Sequence, residues 1–236
     1  MYNYINSILS GFQYSRYFDE CRNQVYKAID SCTDKLKFAD FYETSVKDYL
    51  NLYLKETHST FRVIKSAESL DCPFPDNIEG FESEFSKYNA EVGDLFLIDE
   101  SYPDKILEHY DLKISFREDI IIPTISYIHD YRVNPSYIPL DENAIGSSLN
   151  TDSGYYYILM SKDMKNIIIV ESKSIHDCLN DIYSNFKNKN NSKEFDDVKA
   201  SCYYINRYSH ISDFVSMQKV FDNNILGYDS FRLLKL

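Results

Sequence analysis

Five histidines, five cysteines and 37 carboxylates are the side chains with which this 236-residue chain could do chemistry, and their spacing presets little. His58, His109, His129, His176 and His210 are dispersed, with no H-E-x-x-H, no H-x-H and no carboxylate spacing that would preset a metal site. A scattered histidine is ordinarily a surface or core residue. Two short groupings could still act. His129-Asp130 follows an expected strand, and His176 with Cys178 begins an expected helix, where a thiolate could be stabilised. Either would suit a small hydrolase or transferase. Two residues apart on a helix, however, His176 and Cys178 point to different faces. There is no P-loop, G-x-G-x-x-G or G-x-S-x-G, and six glycines leave few places for a backbone to cradle phosphate. The expectation is a protein without catalytic residues, metal or cofactor.

Charge is more informative. The net charge is −12, and the segment from Glu68 to Asp119 holds 15 acidic residues against Lys87, Lys105, Lys113 and Arg117, a local charge of −11. Such a field repels nucleic acid and speeds encounter with a cationic protein surface. The same residues would also serve as a solvated face kept for solubility. The 22 tyrosines and absence of tryptophan fit an AT-rich coding bias before they require an aromatic binding surface.

Cys21, Cys32, Cys72, Cys178 and Cys202 form no C-x-x-C pair or tight cluster, so reduced thiols are expected, without zinc or disulfides. The opening "MYNYINSILSGFQYSRYFDE" lacks a basic region followed by an unbroken apolar one, and no window reaches the roughly 20 apolar residues of a membrane span. A cytoplasmic protein is expected.

The elements that must position these residues begin with helices. Tyr17, Phe18, Cys21, Val25, Ala28 and Ile29 recur at three and four, and a second helical stripe runs from about Lys35 to Thr57. "STFRVIKSAESL" suits either a strand or a helix. Pro73 and Pro75 break regular structure, and Asp76 with Glu79 would cap a short helix through Phe85. "LFLIDE" has the length of a strand. "YPDKILEHYDL" reads as a short helix, with Pro103 in its first turn and Ile106, Leu107 and Tyr110 on one face. The second half reads mostly as sheet: "DIIIPTISYIHDY" is rich in β-branched residues, and Tyr155 to Val170 forms a hairpin around the loop "SKDMKN". A helix is expected from Ser174 to Tyr183, then a polar loop.

The block "YIPLDENAIGSSLNTDSGYYYILMSKDMKNIIIVESKSIHDCLNDIYSNF" resembles the C-terminal half of the SUKH superfamily of bacterial immunity proteins. Ile138 to Glu142, Asn150 to Asp152, Tyr155 to Leu159, Asp163, Ile167 to Val170 and Ser174 to Tyr183 take, in order, the places of that family's strand, small-polar stretch, aromatic strand, turn aspartate, aliphatic strand and Ser-led helix. The chain departs from the pattern by lacking the usual Asn-Gly after the first helix and the frequent Trp, and by adding a helical N-terminus and a C-terminal extension. The resemblance implies an α+β domain that neutralises a cognate toxin, often a nuclease, without chemistry of its own.

The expected architecture is α+β in a single domain: a helical N-terminal part over 1–66, an α+β core over 67–186 with a mostly antiparallel sheet flanked by helices, a polar loop over 187–194 and an extension over 195–236 packing on the core. The expected function is neutralisation of a basic toxin by direct binding. Glu79, Glu82, Glu84, Glu91, Asp94, Asp99, Glu100 and Asp104 would supply the acidic surface, and Tyr102, Tyr155 and Tyr157 its anchors. One alternative is a phage or mobile-element inhibitor of a host defence protein. The other is the hydrolase or transferase built on His129, Asp130 or His176.

Overall fold

The computed structural model describes residues 4–65, 93–118, 124–129, 154–175, 199–205, 210–216 and 231–235. Three helices open the chain: α1 Tyr4–Phe12, α2 Arg16–Asp30 and α3 Lys35–Glu56. Among the described residues nine strands follow: β1 Phe61–Lys65, β2 Leu95–Asp99, β3 Tyr102–Ile114, β4 Thr124–His129, β5 Tyr155–Met160, β6 Asn166–Glu171, β7 Lys199–Ile205, β8 His210–Ser216 and β9 Phe231–Lys235. Six of them form one sheet in the order β1-β2-β3-β5-β6-β9, and β4-β8-β7 form a second. Among the described strands every pairing is antiparallel except β3 with β5, where the chain must cross over before it returns. This is the expected α+β class, with a mixed and mostly antiparallel main sheet.

Local signals account for the helices. Ser15, extended at φ −89° and ψ 155°, accepts the Phe18 N–H and starts α2, while Asp19 and Lys27 sit at the ends that favour their charges. Its buried residues Phe18, Cys21, Val25 and Ile29 follow the helical repeat. In α3 a strict spacing of four, Phe38, Tyr42, Val46, Leu50 and Leu54, draws one buried stripe along the helix. His58, at φ 55°, ends that helix in the left-handed conformation, and the Ser59 N–H returns to the Leu54 carbonyl at 2.9 Å.

The region "YPDKILEHYDL", expected as a helix, is instead most of the thirteen-residue strand β3. Its alternation decides the matter: Tyr110, Leu112 and Ile114 all pack into the core under the helices, which only a period of two allows. Pairing with β2 across a tight turn outweighs the helical spacing of Ile106, Leu107 and Tyr110, and Pro103 is accommodated next to that turn. "FRVIK" resolves as strand β1. The Tyr155 to Val170 hairpin forms as expected. The anticipated helix after it begins as a helical turn over 172–175, its remainder lying outside the described residues, as does the Asp76-capped helix.

The main sheet is buried on both faces. Leu95, Leu97, Tyr110, Leu112, Ile114, Tyr156, Ile158, Met160, Ile167 and Ile169 join the helices in one core. Phe96, Ile98, Tyr155, Tyr157, Leu159, Ile168 and Val170 are buried on the other side. Double burial explains why "YYYILM" and "NIIIVE" read as continuous apolar runs rather than alternating ones.

Polar clips join helices to strands. The Asn51 side chain donates to the Val63 carbonyl at 2.8 Å and accepts the Val63 N–H at 2.9 Å, satisfying the outer edge of β1. The buried Glu108 of β3 accepts the Tyr4 and Ile5 N–H groups at 2.8 and 2.9 Å, capping α1 from a distant strand, and the Tyr110 hydroxyl at 2.8 Å. Burial nevertheless raises the Glu108 pKa, outweighing these three donors. Replacing Glu108 with Ala should cost about 2 kcal/mol in urea unfolding, because buried donors lose their acceptor. Glu108→Gln, which keeps one acceptor oxygen, should cost less, and equal losses for the two variants would show that the cap contributes nothing.

Candidate functional site

Three ionisable side chains converge where β2 begins and β3 ends. Gly93, at φ +79°, turns the chain into β2, and a methyl group placed there would lie 2.6 Å from the Tyr110 carbonyl oxygen. Asp94 follows, its Oδ2 accepting the Leu112 N–H at 2.8 Å. From the neighbouring strand β3, Asp111 and Lys113 project together, being two residues apart on an extended chain. The Lys113 ammonium is hydrogen-bonded to Asp111 and lies 3.7 Å from Asp94 Oδ2. The two carboxylates thus share one ammonium group and act on each other electrostatically.

The helical side contributes a second charged group. Lys65 of β1, itself only 5% exposed at its side chain, reaches α3 and meets Glu43 Oε2 at 3.2 Å, Thr44 Oγ1 at 3.2 Å and the Asp40 carbonyl at 3.0 Å. The Asp40 carboxylate also pairs with it. Glu43 feels both Asp94 and Lys113, so the two groups form one electrostatic unit.

Burial and like charge set the protonation of this unit. Glu43 is pushed up to about 7, first by burial and then by the nearby Asp94, with Lys65 opposing. Asp111 is driven well above the usual carboxylate range by burial and then by Asp94. Burial opposes the charge on Lys113, but Asp111 and Asp94 outweigh it and the ammonium stays protonated. The same holds for Lys65, which burial disfavours while Asp40 and Glu43 raise its pKa. Four carboxylates thus face two ammonium groups: Glu43, Asp94 and Asp111, buried or partly so, and the exposed Asp40. Asp94 and Lys113, a quarter and a third exposed at their side chains, are its open side.

Among the described residues no three or more His, Cys, Asp and Glu side chains are arranged to hold a metal ion by themselves. Asp94 and Asp111 offer a pair of hard oxygen donors, and Lys113 occupies the place between them that a cation would contest. A divalent cation of the magnesium type needs one or two carboxylates and takes its other ligands from water and phosphate.

The structure describes part of the surface expected to meet a partner. Glu79, Glu82, Glu84 and Glu91 lie outside the described residues, as do Asp130, His176 and Cys178. Glu100 is exposed and Tyr102 is 70% exposed in and beside the turn between β2 and β3, with Asp99 half-buried beside them. Asp104 and His129 lie on β3 and β4. Asp94 is turned toward Leu112 and Lys113. Tyr155 and Tyr157 are buried, so as the structure stands they line the cluster's side of the sheet and offer no anchor to an outside partner. A separate cavity of about 300 Å³ between α2 and the β5–β6 turn is lined by Tyr26, Glu118, Ser161, Lys162, Asp163 and Asn166. Its lysine is already paired with Asp30 at 2.6 Å and Glu118 at 3.6 Å.

Sequence reasoning missed Glu43, Lys65, Asp111 and Lys113 as a group. The available signal was an acid-x-lysine pair in "YDLKIS" and a Gly-Asp entering an apolar run in "VGDLFLI", two features that meet only if both segments are strands.

Because Glu43 titrates higher in the folded chain than its ordinary 4.5, its contribution is full below about 4.5 and is lost as pH rises through about 7. A thermal-melting series from pH 4 to 8 should show that decline, and Glu43→Gln should flatten it. Asp111→Asn should raise the melting temperature at pH 7 by roughly 2–4 °C, as relief of about 1 kcal/mol would in a chain of this size. A lowered melting temperature would mean that the Asp111–Lys113 pair stabilises the fold. Comparison with protein-family models, with curated proteins and with solved structures returned no match for this chain.

Proposed function

We propose that this protein hydrolyses phosphodiesters with a divalent cation bound between Asp94 and Asp111. The observation that supports this reading is the meeting of two carboxylates from adjacent strands with a lysine against both. A fold gains nothing in stability from pressing two acids together out of water, and such arrangements concentrate at sites of chemistry. Hard oxygen donors select a cation of the magnesium or manganese type. That cation would polarise a phosphoryl oxygen and lower the pKa of a bound water.

The chain's own residues take the remaining roles. Leu112 N–H orients Asp94. Lys113, a third exposed, is the fixed positive charge available to a phosphate oxygen as negative charge develops on it. Glu43, pushed up to about 7, is suited to accept a proton near neutrality, and Lys65 holds it on the helical side of the cluster. The overall charge of −12 opposes polyanions, so the cation and Lys113 must supply the local attraction.

A second reading keeps the sequence-based expectation of an immunity-type protein that binds a basic partner. Tyr102, 70% exposed beside Glu100, is the feature that favours it. Its check is salt-dependent co-purification of a basic protein, reduced by Tyr102→Ala together with Glu100→Lys.

For the hydrolase, the full chain should cleave bis(4-nitrophenyl) phosphate or circular duplex DNA in Mg²⁺ or Mn²⁺ and stop on chelation. Asp111→Asn and Lys113→Ala should each lower kcat/KM by about 100-fold or more. Cleavage that survives chelation, or that persists undiminished in both variants, would falsify the assignment. Cation binding to a carboxylate whose pKa is raised should also release protons, so Mn²⁺ affinity measured by calorimetry should rise with pH.

A further inference from the structure

We infer that Tyr155 is the positioning residue for Asp94: its buried hydroxyl, seated against Gly93, holds the turn from which Asp94 faces Asp111 and Lys113. Its functional consequence rests on the hydrolase reading, whereas its geometry does not. Tyr155 opens β5 and pairs with His109 in the parallel register, two residues before Tyr157 pairs with Asp111. The ring therefore stands on the same face as Asp111.

Packing fixes it there. Tyr155 is 1% exposed, stacked on His109 with centroids 6.0 Å apart and planes within 10°, and tilted against Tyr157 at 6.1 Å. A methyl group placed on Gly93 would lie 2.9 Å from the Tyr155 hydroxyl, which marks how closely the phenol approaches the backbone one residue before Asp94. Gly93 sits in a left-handed conformation at φ +79°. A glycine there permits the turn but does not enforce it, since glycine explores many conformations. The Tyr110 carbonyl and the Tyr155 hydroxyl both crowd the position that a side chain would take there and leave it little room.

The phenol is not itself placed for proton transfer. Burial and then the charge of Asp111 raise its pKa well above the ordinary tyrosine value, so it remains protonated. Its contribution is steric and orientational.

The Leu112 amide reports on Asp94 without any need for catalysis, because its N–H is held by the Asp94 carboxylate. Hydrogen exchange at Leu112 and Mn²⁺ affinity by calorimetry should therefore be followed in the full-length wild type, Tyr155→Phe and Tyr155→Leu. Leu112 exchange should quicken roughly tenfold in Tyr155→Leu and about threefold in Tyr155→Phe, while Ile168 and Ile169 in β6 keep their protection. The Mn²⁺ dissociation constant should rise in the same order. Wild-type exchange at Leu112 in both variants overturns the inference, as does an equal loss of protection at Leu112 and in β6, which would mark a merely structural role. If Tyr155→Leu does not fold, Tyr155→Phe, which keeps the ring, decides alone. Faster exchange at Leu112 with no Mn²⁺ uptake even in the wild type would uphold the positioning role and remove the hydrolase reading.

Discussion

The structure depends on how one strand carries buried charge on both of its faces. Glu108 and Asp111 stand three residues apart on β3, so they point to opposite sides of the main sheet. Both are almost fully buried. Their surroundings differ in kind. Glu108 meets two backbone donors and a tyrosine hydroxyl, and it fastens α1 to the sheet. Asp111 has another carboxylate, Asp94, beside it, and Lys113 stands against both. A carboxylate saturated with donors serves the architecture. One set beside a second acid carries a cost of burial and repulsion that its neighbours must offset.

The parallel pairing of β3 with β5 is what makes the second arrangement possible. An antiparallel partner could have arrived through a tight hairpin, whereas the parallel one brings Tyr155 and Tyr157 in register with His109 and Asp111. The tyrosines thereby become the dry wall of the charged cluster. Their burial strengthens each electrostatic interaction beside them, since the local dielectric falls as water is excluded. The hairpin that the sequence offers as scaffold is in this sense also part of the site's environment.

Much of the fold was legible because its signals are local and periodic. The stripes of α2 and α3, the run "LFLID" and the "YYYILM" hairpin each carry their own pattern, and tertiary context agrees with it. The failure at "YPDKILEHYDL" was local as well, since Ile106, Leu107 and Tyr110 do repeat at helical spacing. Its effect was to hide the site. On a helix, Asp111 and Lys113 would diverge by about 200° and carry no joint meaning. On a strand they share a face, and β2 brings Asp94 alongside. Glu43 and Lys65 were illegible for another reason: 22 residues separate them, and only packing of α3 on β1 joins them. The net acidity of the middle segment was read as surface, yet Asp94, Glu108 and Asp111 are turned inward and spend their charge on internal partners.

The helical layer can be understood as the frame that holds β1 and β3 against this internal charge. Asn51 fastens α3 to the backbone of Val63, Lys65 fastens the next part of β1 to Asp40, Glu43 and Thr44, and Glu108 fastens β3 to α1. These contacts are polar and directional, unlike the apolar stripe that fills the space between them, so they fix register where hydrophobic packing alone would tolerate sliding. Two of them hold the edge strand β1, and the third holds β3 itself, the strand that carries Asp111. Two acids that share one lysine stay side by side as long as their strands cannot drift apart, and these clips supply that resistance from the helical face of the sheet.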